Sequence, residues 1–121
     1  MIAVRHLSLD CADAAGLASF WSAALGRPVD EGASPYFASI GMAARSSRTP
    51  AWLFLRVLEA KSAKNRLHVD FAAGDRAAEV ARLVGLGATD LGEHDEYGTS
   101  WTVLQDPEGN EFCVGGPSPT G

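Results

Sequence analysis

The residues of this chain best suited to chemistry are two histidines in matching surroundings. His6 opens His-Leu-Ser-Leu-Asp10, and His68 opens His-Val-Asp-Phe-Ala72. The interval from His6 to His68 equals that from Asp13 to Asp75 and is one residue longer than that from Gly26 to Gly87. Imidazole is the commonest protein metal ligand. Two histidines at equivalent places in a repeated unit could converge on one site and begin a Zn²⁺, Ni²⁺, Fe²⁺ or Mn²⁺ centre. They do not complete it, because a catalytic metal typically has three protein ligands and an open position.

The elements that position these histidines are legible around them. Ile2 to Leu9 alternates, with Leu7 and Leu9 on one face and His6 and Ser8 on the other, which predicts a two-faced strand. Around His68 the same parity puts His68 with Asp70, and Leu67, Val69 and Phe71 on the side suited to packing a helix. Asp13 is a good N-cap for a helix carrying Leu17, Phe20, Trp21, Ala24 and Leu25, which Gly26 and Pro28 end. A short strand near Val29, a strand over 34–40, an exposed polar, basic loop over 41–50 and a strand over 52–57 complete the first copy. Residues 59–65 read as a linker.

The second copy has a strand over 66–72 and a helix capped by Asp75. Its apolar stripe is Ala77, Val80, Ala81 and Val84, and Gly85 and Gly87 end it. A short strand over 88–91 and an acidic loop over 92–98 follow. Strands over 100–105 and 111–114 flank Asp106-Pro-Glu-Gly-Asn110, a sequence suited to a tight turn. Each half reads β-α-β-β-β, and the fold class is α+β.

Composition narrows the function classes. With 121 residues, 46% of them hydrophobic, the chain fits one domain with a real core. A net charge of −5, with Arg45, Arg48, Arg56, Lys61, Lys64 and Arg66 scattered, argues against a nucleic-acid surface. No apolar run approaches the roughly 18 residues of a membrane span, and the first residues lead directly into a strand pattern with no signal peptide. Cys11 and Cys113 make no disulfide framework, so a reduced, cytoplasmic protein is expected.

The duplicated module, the opening His-x-x-Leu-x-x-x-Asp, the central Lys64-Asn-Arg-Leu-His-Val-Asp70 and the closing Asp106-Pro-Glu-Gly-Asn-Glu-Phe112 resemble the vicinal oxygen chelate superfamily. That superfamily includes glyoxalases, bleomycin-resistance proteins and extradiol dioxygenases. The central stretch is most similar to small glyoxalase-like proteins. The resemblance implies a single domain over 1–121, with module 1 at about 1–58, the linker at 59–65, module 2 at about 66–115 and a tail over 116–121. It implies two tandem βαβββ modules forming curved mixed sheets with helices on the outer face. The sheets would form a cup for a small molecule and often a divalent metal. It also implies a homodimer, whose cup is often built from modules of different chains.

The four metal-lining positions of the family fall on His6, Leu55, His68 and Cys113. Cys113 could serve as a thiolate, favouring softer metals, and Leu55 cannot ligate. Glu111 shares a strand face with Cys113 and would reach in only if the strand were offset. The family's glutamates are missing at Leu55 and Cys113. A glyoxalase I proton transfer needs a base beside the metal, so that reaction is not expected. No catalytic residue is designated.

Competing structural readings stand beside these. A strand histidine is commonly a hydrogen-bonded structural residue, and a cysteine a small buried apolar one. His94 reads as a solvated loop residue. Lys64 and Arg66 read as linker solvation before anion binding. Trp21 reads as core. Trp52 and Trp101 are candidates for stacking a planar ligand or for plain sheet packing. The first functional expectation is a protein binding a small, apolar or aromatic molecule, with Leu55, Trp52, Trp101 and Glu111 at the ligand. The alternative is a divalent-metal-dependent lyase, isomerase or dioxygenase using the paired histidines, and a weaker third is a structural dimerisation module.

Overall fold

The structure, a computed structural model, describes residues 1–43 and 49–117. The expected loop over 41–50 and tail over 116–121 therefore fall partly outside the described residues. The chain divides into two units between Ala60 and Lys61, each with one helix and one mixed sheet.

In the first unit β1 (His6–Cys11) leads into α1 (Ala14–Leu25), followed by β2 (Phe37–Ile40) and β3 (Ala51–Arg56). Asp13 is extended and its side chain accepts from the Gly16 amide, satisfying one of the free donors that begin a helix. Gly26 stops the helix in the left-handed conformation, φ 66°, donating its amide back to Ser22. The sheet order is β1-β3-β2, with β1 parallel and β2 antiparallel to β3. The strand expected near Val29 is reduced to a single bridge, Val29 to Ile40. Leu17, Phe20 and Trp21 of α1 are buried, as are Ala38, Ile40, Trp52 and Phe54 of the sheet. Each large side chain so buried contributes roughly 1.5–3 kcal/mol.

The second unit runs β4 (Asp70–Ala72), α2 (Arg76–Leu86), β5 (Thr89–Glu96), β6 (Thr99–Gln105) and β7 (Glu111–Gly115). Its sheet order is β4-β7-β6-β5. Asp75 caps α2 through the Ala78 amide at 3.1 Å. Leu83, Thr102, Leu104, Phe112 and Val114 are buried, and Phe71 meets Phe112 edge-on.

Three expectations change here. The acidic stretch over 92–98 is mostly strand: β5 pairs with β6 from Thr89–Gln105 to Glu96–Thr99. Carboxylates suit an exposed edge strand, because the ladder supplies the backbone bonds while the side chains stay in water. Tyr97 (φ 54°) and Gly98 (φ 74°) close this hairpin, both at the positive φ that a two-residue type I′ turn requires. Second, α2 turns a different side to its sheet. Ala77, Ala81 and Val84 are exposed and Leu83 is buried. Arg76 Nη1 donates to Thr102 Oγ1 at 2.9 Å, which brings the Arg76 side of the helix to the sheet. Gly85 also lies within the helix rather than ending it. Third, β4 starts only at Asp70, so His68 precedes the strand; further upstream, the Asn65 amide donates to the Glu111 side chain.

Candidate functional site

Residues paired across a ladder share a sheet face, and successive residues along a strand alternate faces. In the first unit the Leu7–Trp52–Ile40 and Leu9–Phe54–Ala38 rungs form the buried face. The other face carries His6–Ala51, Ser8–Leu53–Ser39 and Asp10–Leu55–Phe37. In the second unit Phe71–Val114–Thr102 belongs to the buried face, and Asp70–Cys113–Val103–Gly92 and Ala72–Gly115–Trp101–His94 to the opposite one.

Side chains capable of ligating a metal gather on that second open face. His68, Asp70 and Cys113 each offer one ligand atom, all within 4.8 Å of one another. His68 Nε2 lies 3.5 Å from Asp70 Oδ1, with His68 42% and Asp70 73% exposed in their side chains. Cys113 sits at the base of the group, 7% exposed. Burial first, then the charge of Asp70 and the hydrogen bond its carboxylate accepts, push the Cys113 thiol above its usual range; Lys64 pulls the other way. The Val69 carbonyl accepts from the Cys113 amide at 3.0 Å, which ties the chain between His68 and Asp70 to β7.

Glu111, two residues before Cys113, holds the segment leading into this group. The Asn65 amide donates to Glu111 Oε2 at 3.0 Å, and Lys61 Nζ lies 3.0 Å from Oε1. With its side-chain amide oriented to suit both ends, Asn65 also donates to Oε2 at 2.9 Å and accepts from the Glu111 amide at 3.3 Å. Burial works to raise the Glu111 carboxyl, but the Asn65 amide and Lys61 outweigh it and hold the group below its ordinary value. The strand itself is fixed by the preceding turn, where the buried Asp106 carboxylate accepts from the amides of Glu108 and Asn110.

The residues expected at the site separate accordingly. His68 and Cys113 are brought together. Asp70 joins them, and although it shares the His68 face by parity, its place beside Cys113 was not anticipated. Glu111 is committed through both oxygens to Lys61 and Asn65. Of the two readings of Trp52, the packing one fits its position: it is 4% exposed on the buried face, with ring centroids 4.8 Å from Trp21 and 6.4 Å from Phe54. The strand alternation that puts Leu55 on the open face puts Trp52 on the opposite one. Trp101 is half-buried on the open face, stacked on His94 at 5.5 Å with the planes 17° apart. His94 is exposed as expected, but it lies on a strand in ring contact and not in a loop. His6 lies in the first unit, and its Nδ1 is buried without a hydrogen-bond partner among the described residues. The repeat's own register matches the Asp70–Cys113 rung to Ser8–Leu53, which makes Leu53, two residues before Leu55, the counterpart of Cys113.

The donor chemistry of the trio fits a divalent metal. Bonds of about 2.0–2.3 Å from nitrogen, oxygen and sulfur ligands in a tetrahedron place neighbouring donors roughly 3.3–3.7 Å apart. The His68–Asp70 separation of 3.5 Å is already in that range. His68 and Asp70 are exposed enough to adjust toward Cys113. A metal bound there would act as a Lewis acid on an oxygen of a bound molecule.

Residues 6–115 match the family model described as the glyoxalase-like domain. No curated protein sequence matches the chain. Among solved structures, one similar fold is a glyoxalase/bleomycin resistance protein/dioxygenase family enzyme from Burkholderia phytofirmans. It is 18% identical, the match covers 93% of this chain and 97% of that one, and the TM-score is 0.73. A lactoylglutathione lyase from Agrobacterium tumefaciens is 18% identical over 96% of this chain and 94% of that one, with a TM-score of 0.66. A fosfomycin resistance protein from Listeria monocytogenes is 12% identical over 98% and 95%, with a TM-score of 0.70. At these identities the likeness is one of fold. No helix among the described residues is long and apolar enough to cross a membrane.

Proposed function

Because the chain belongs to the glyoxalase-like domain family, we propose that it binds a small molecule on the open face of its second sheet, the planar or apolar part over Trp101 and Val103. The observation that carries this reading is that the half-buried Trp101 and Val103 share that face with His68, Asp70 and Cys113. Neighbouring rungs on one face are about 7 Å apart, so one small ligand spans the aromatic surface and the polar group. Aromatic rings favour flat apolar partners, and a few fixed polar groups orient them. The test is a thermal-shift screen of small aromatic and heterocyclic compounds, repeated on Trp101→Ala. Hits that persist undiminished in Trp101→Ala would remove this face as the binding surface.

A second reading is a divalent-metal-dependent lyase, isomerase or dioxygenase. It is favoured by the His68–Asp70–Cys113 group and, separately, by the Nδ1 of His6, which has no hydrogen-bond partner among the described residues. Elemental analysis of untagged protein, alone and after incubation with Zn²⁺, Ni²⁺, Fe²⁺ or Mn²⁺, tests it; no bound metal in any sample rejects it. A single domain over 1–121, a homodimeric assembly and a cytoplasmic location belong to the proposal. Sedimentation showing only monomer at micromolar concentration would reject the dimer.

A further inference from the structure

We propose that Asp70 is itself a metal ligand, completing with His68 and Cys113 a nitrogen–oxygen–sulfur donor set for one divalent cation within the second unit. The inference rests on the metal reading and adds to it the identity of the carboxylate, which the strand positions at Leu55 and Cys113 do not supply.

Three observations carry it. Asp70 and Cys113 are direct ladder partners, so their side chains leave the same face at the same rung. His68 stands two residues before Asp70, and its Nε2 is 3.5 Å from the Asp70 carboxylate, a tetrahedral donor spacing. All three ligand atoms lie within 4.8 Å of one another. The base of the set is rigid, since Cys113 is buried in the sheet, while the two upper donors are free to close. The other carboxylate near the set, Glu111, is held by Lys61 and Asn65 and does not compete. On binding, the sulfur–metal bond forms as the thiol proton passes to solvent, and the Asp70 oxygen exchanges the thiol hydrogen bond for the metal. Imidazole, carboxylate and thiolate together select Zn²⁺, Co²⁺ or Ni²⁺ over Mg²⁺ and Ca²⁺.

The experiment is titration of the full chain with Co²⁺, followed by absorption, on the wild type and on Asp70→Asn, His68→Ala and Asp95→Asn. Asp70→Asn is near-isosteric at an exposed position, so folding survives it. Asp95→Asn removes an exposed charge from β5 as an electrostatic control. Expected for the wild type are one Co²⁺ per chain, a thiolate-to-cobalt charge-transfer band, and displacement by Zn²⁺. Asp70→Asn should bind at least about tenfold more weakly, by analogy with the roughly 10–100-fold cost of losing even an outer-shell group, while Asp95→Asn binds as the wild type does. Wild-type affinity in Asp70→Asn, with affinity lost in His68→Ala, overturns the role of Asp70 and leaves the metal reading standing. Absence of Co²⁺ binding by the wild type overturns both.

Discussion

Replacing Glu111 by Gln keeps the shape of the side chain and removes its charge, which makes it a clean test of the clasp that leads into His68. The carboxylate is 10% exposed and Lys61 24%, so solvent screens this pair less than an open surface pair. Glu111 accepts from the Asn65 backbone amide and pairs with Lys61, each at 3.0 Å, and accepts from the Asn65 side-chain amide at 2.9 Å. Hydrogen bonds to charged groups contribute about 1.5–3 kcal/mol and neutral ones about 1. The Gln amide has one acceptor, which can keep the Asn65 bond, while its NH2 faces Lys61 and that pair is lost, so the expected loss is about 1–2 kcal/mol. For a chain of this size that lowers Tm by about 3–8 °C.

The pH dependence gives the sharper assay. The folded Glu111 carboxyl is held below its ordinary value. Between the folded value and the unfolded one, about 4.3, the unfolded chain binds more protons, so stability falls as pH falls. The contribution is therefore fully present above the unfolded value and is lost as pH drops through the folded one. Thermal unfolding by circular dichroism at neutral pH and at steps down to about pH 3 should show the gap between wild type and Glu111→Gln narrowing only in that acid window. A gap that is absent at neutral pH, or unchanged at the acid end, would refute the clasp.

Other substitutions separate core from site. Trp52→Ala should cost about 3–5 kcal/mol by opening a cavity against Trp21 and Phe54, read as a lowered denaturation midpoint. Trp101→Ala should cost only about 1–2 kcal/mol while diminishing ligand shifts. Tyr97→Asn relieves a bulky side chain from positive φ at the hairpin turn and should stabilise the protein by about 0.5–1 kcal/mol in chemical denaturation. A loss there would mean that the Tyr97 ring makes a contact worth more than the strain.

The repeat and its caps were legible because they rest on local chemistry. Asp13 and Asp75 each bond an amide three residues on, and Gly26 and Gly87 stop their helices, as the spacing of these residues predicts. What was not legible depended on partners far along the chain. The charged composition of 92–98 suggested a loop, but Thr99–Gln105 gives that stretch a ladder to join. Trp52 was placed near a ligand by its ring chemistry, whereas strand parity sends it to the core. Asp70 was visible on the face of His68, but its position opposite Cys113 is set by the register of β4 on β7, which periodicity alone does not supply.

That register also says how the two copies have diverged. The rung that holds Asp70 and Cys113 in the second unit holds Ser8 and Leu53 in the first. A serine hydroxyl is a poor ligand and a leucine none, so at that rung the first copy has no counterpart of the Asp70–Cys113 donor pair. Leu53, Leu55 and Phe37 make the rest of that open face more apolar. Among the described residues the buried Nδ1 of His6 has no hydrogen-bond partner, an arrangement that costs about 1–3 kcal/mol when nothing meets it. A leucine there would bury as well without that cost. The second copy carries its own nitrogen, oxygen and sulfur in His68, Asp70 and Cys113. The division is chemical: the first open face carries Leu53, Leu55 and Phe37 beside Ser8 and Asp10, and the second carries His68, Asp70 and Cys113 beside Trp101 and Val103.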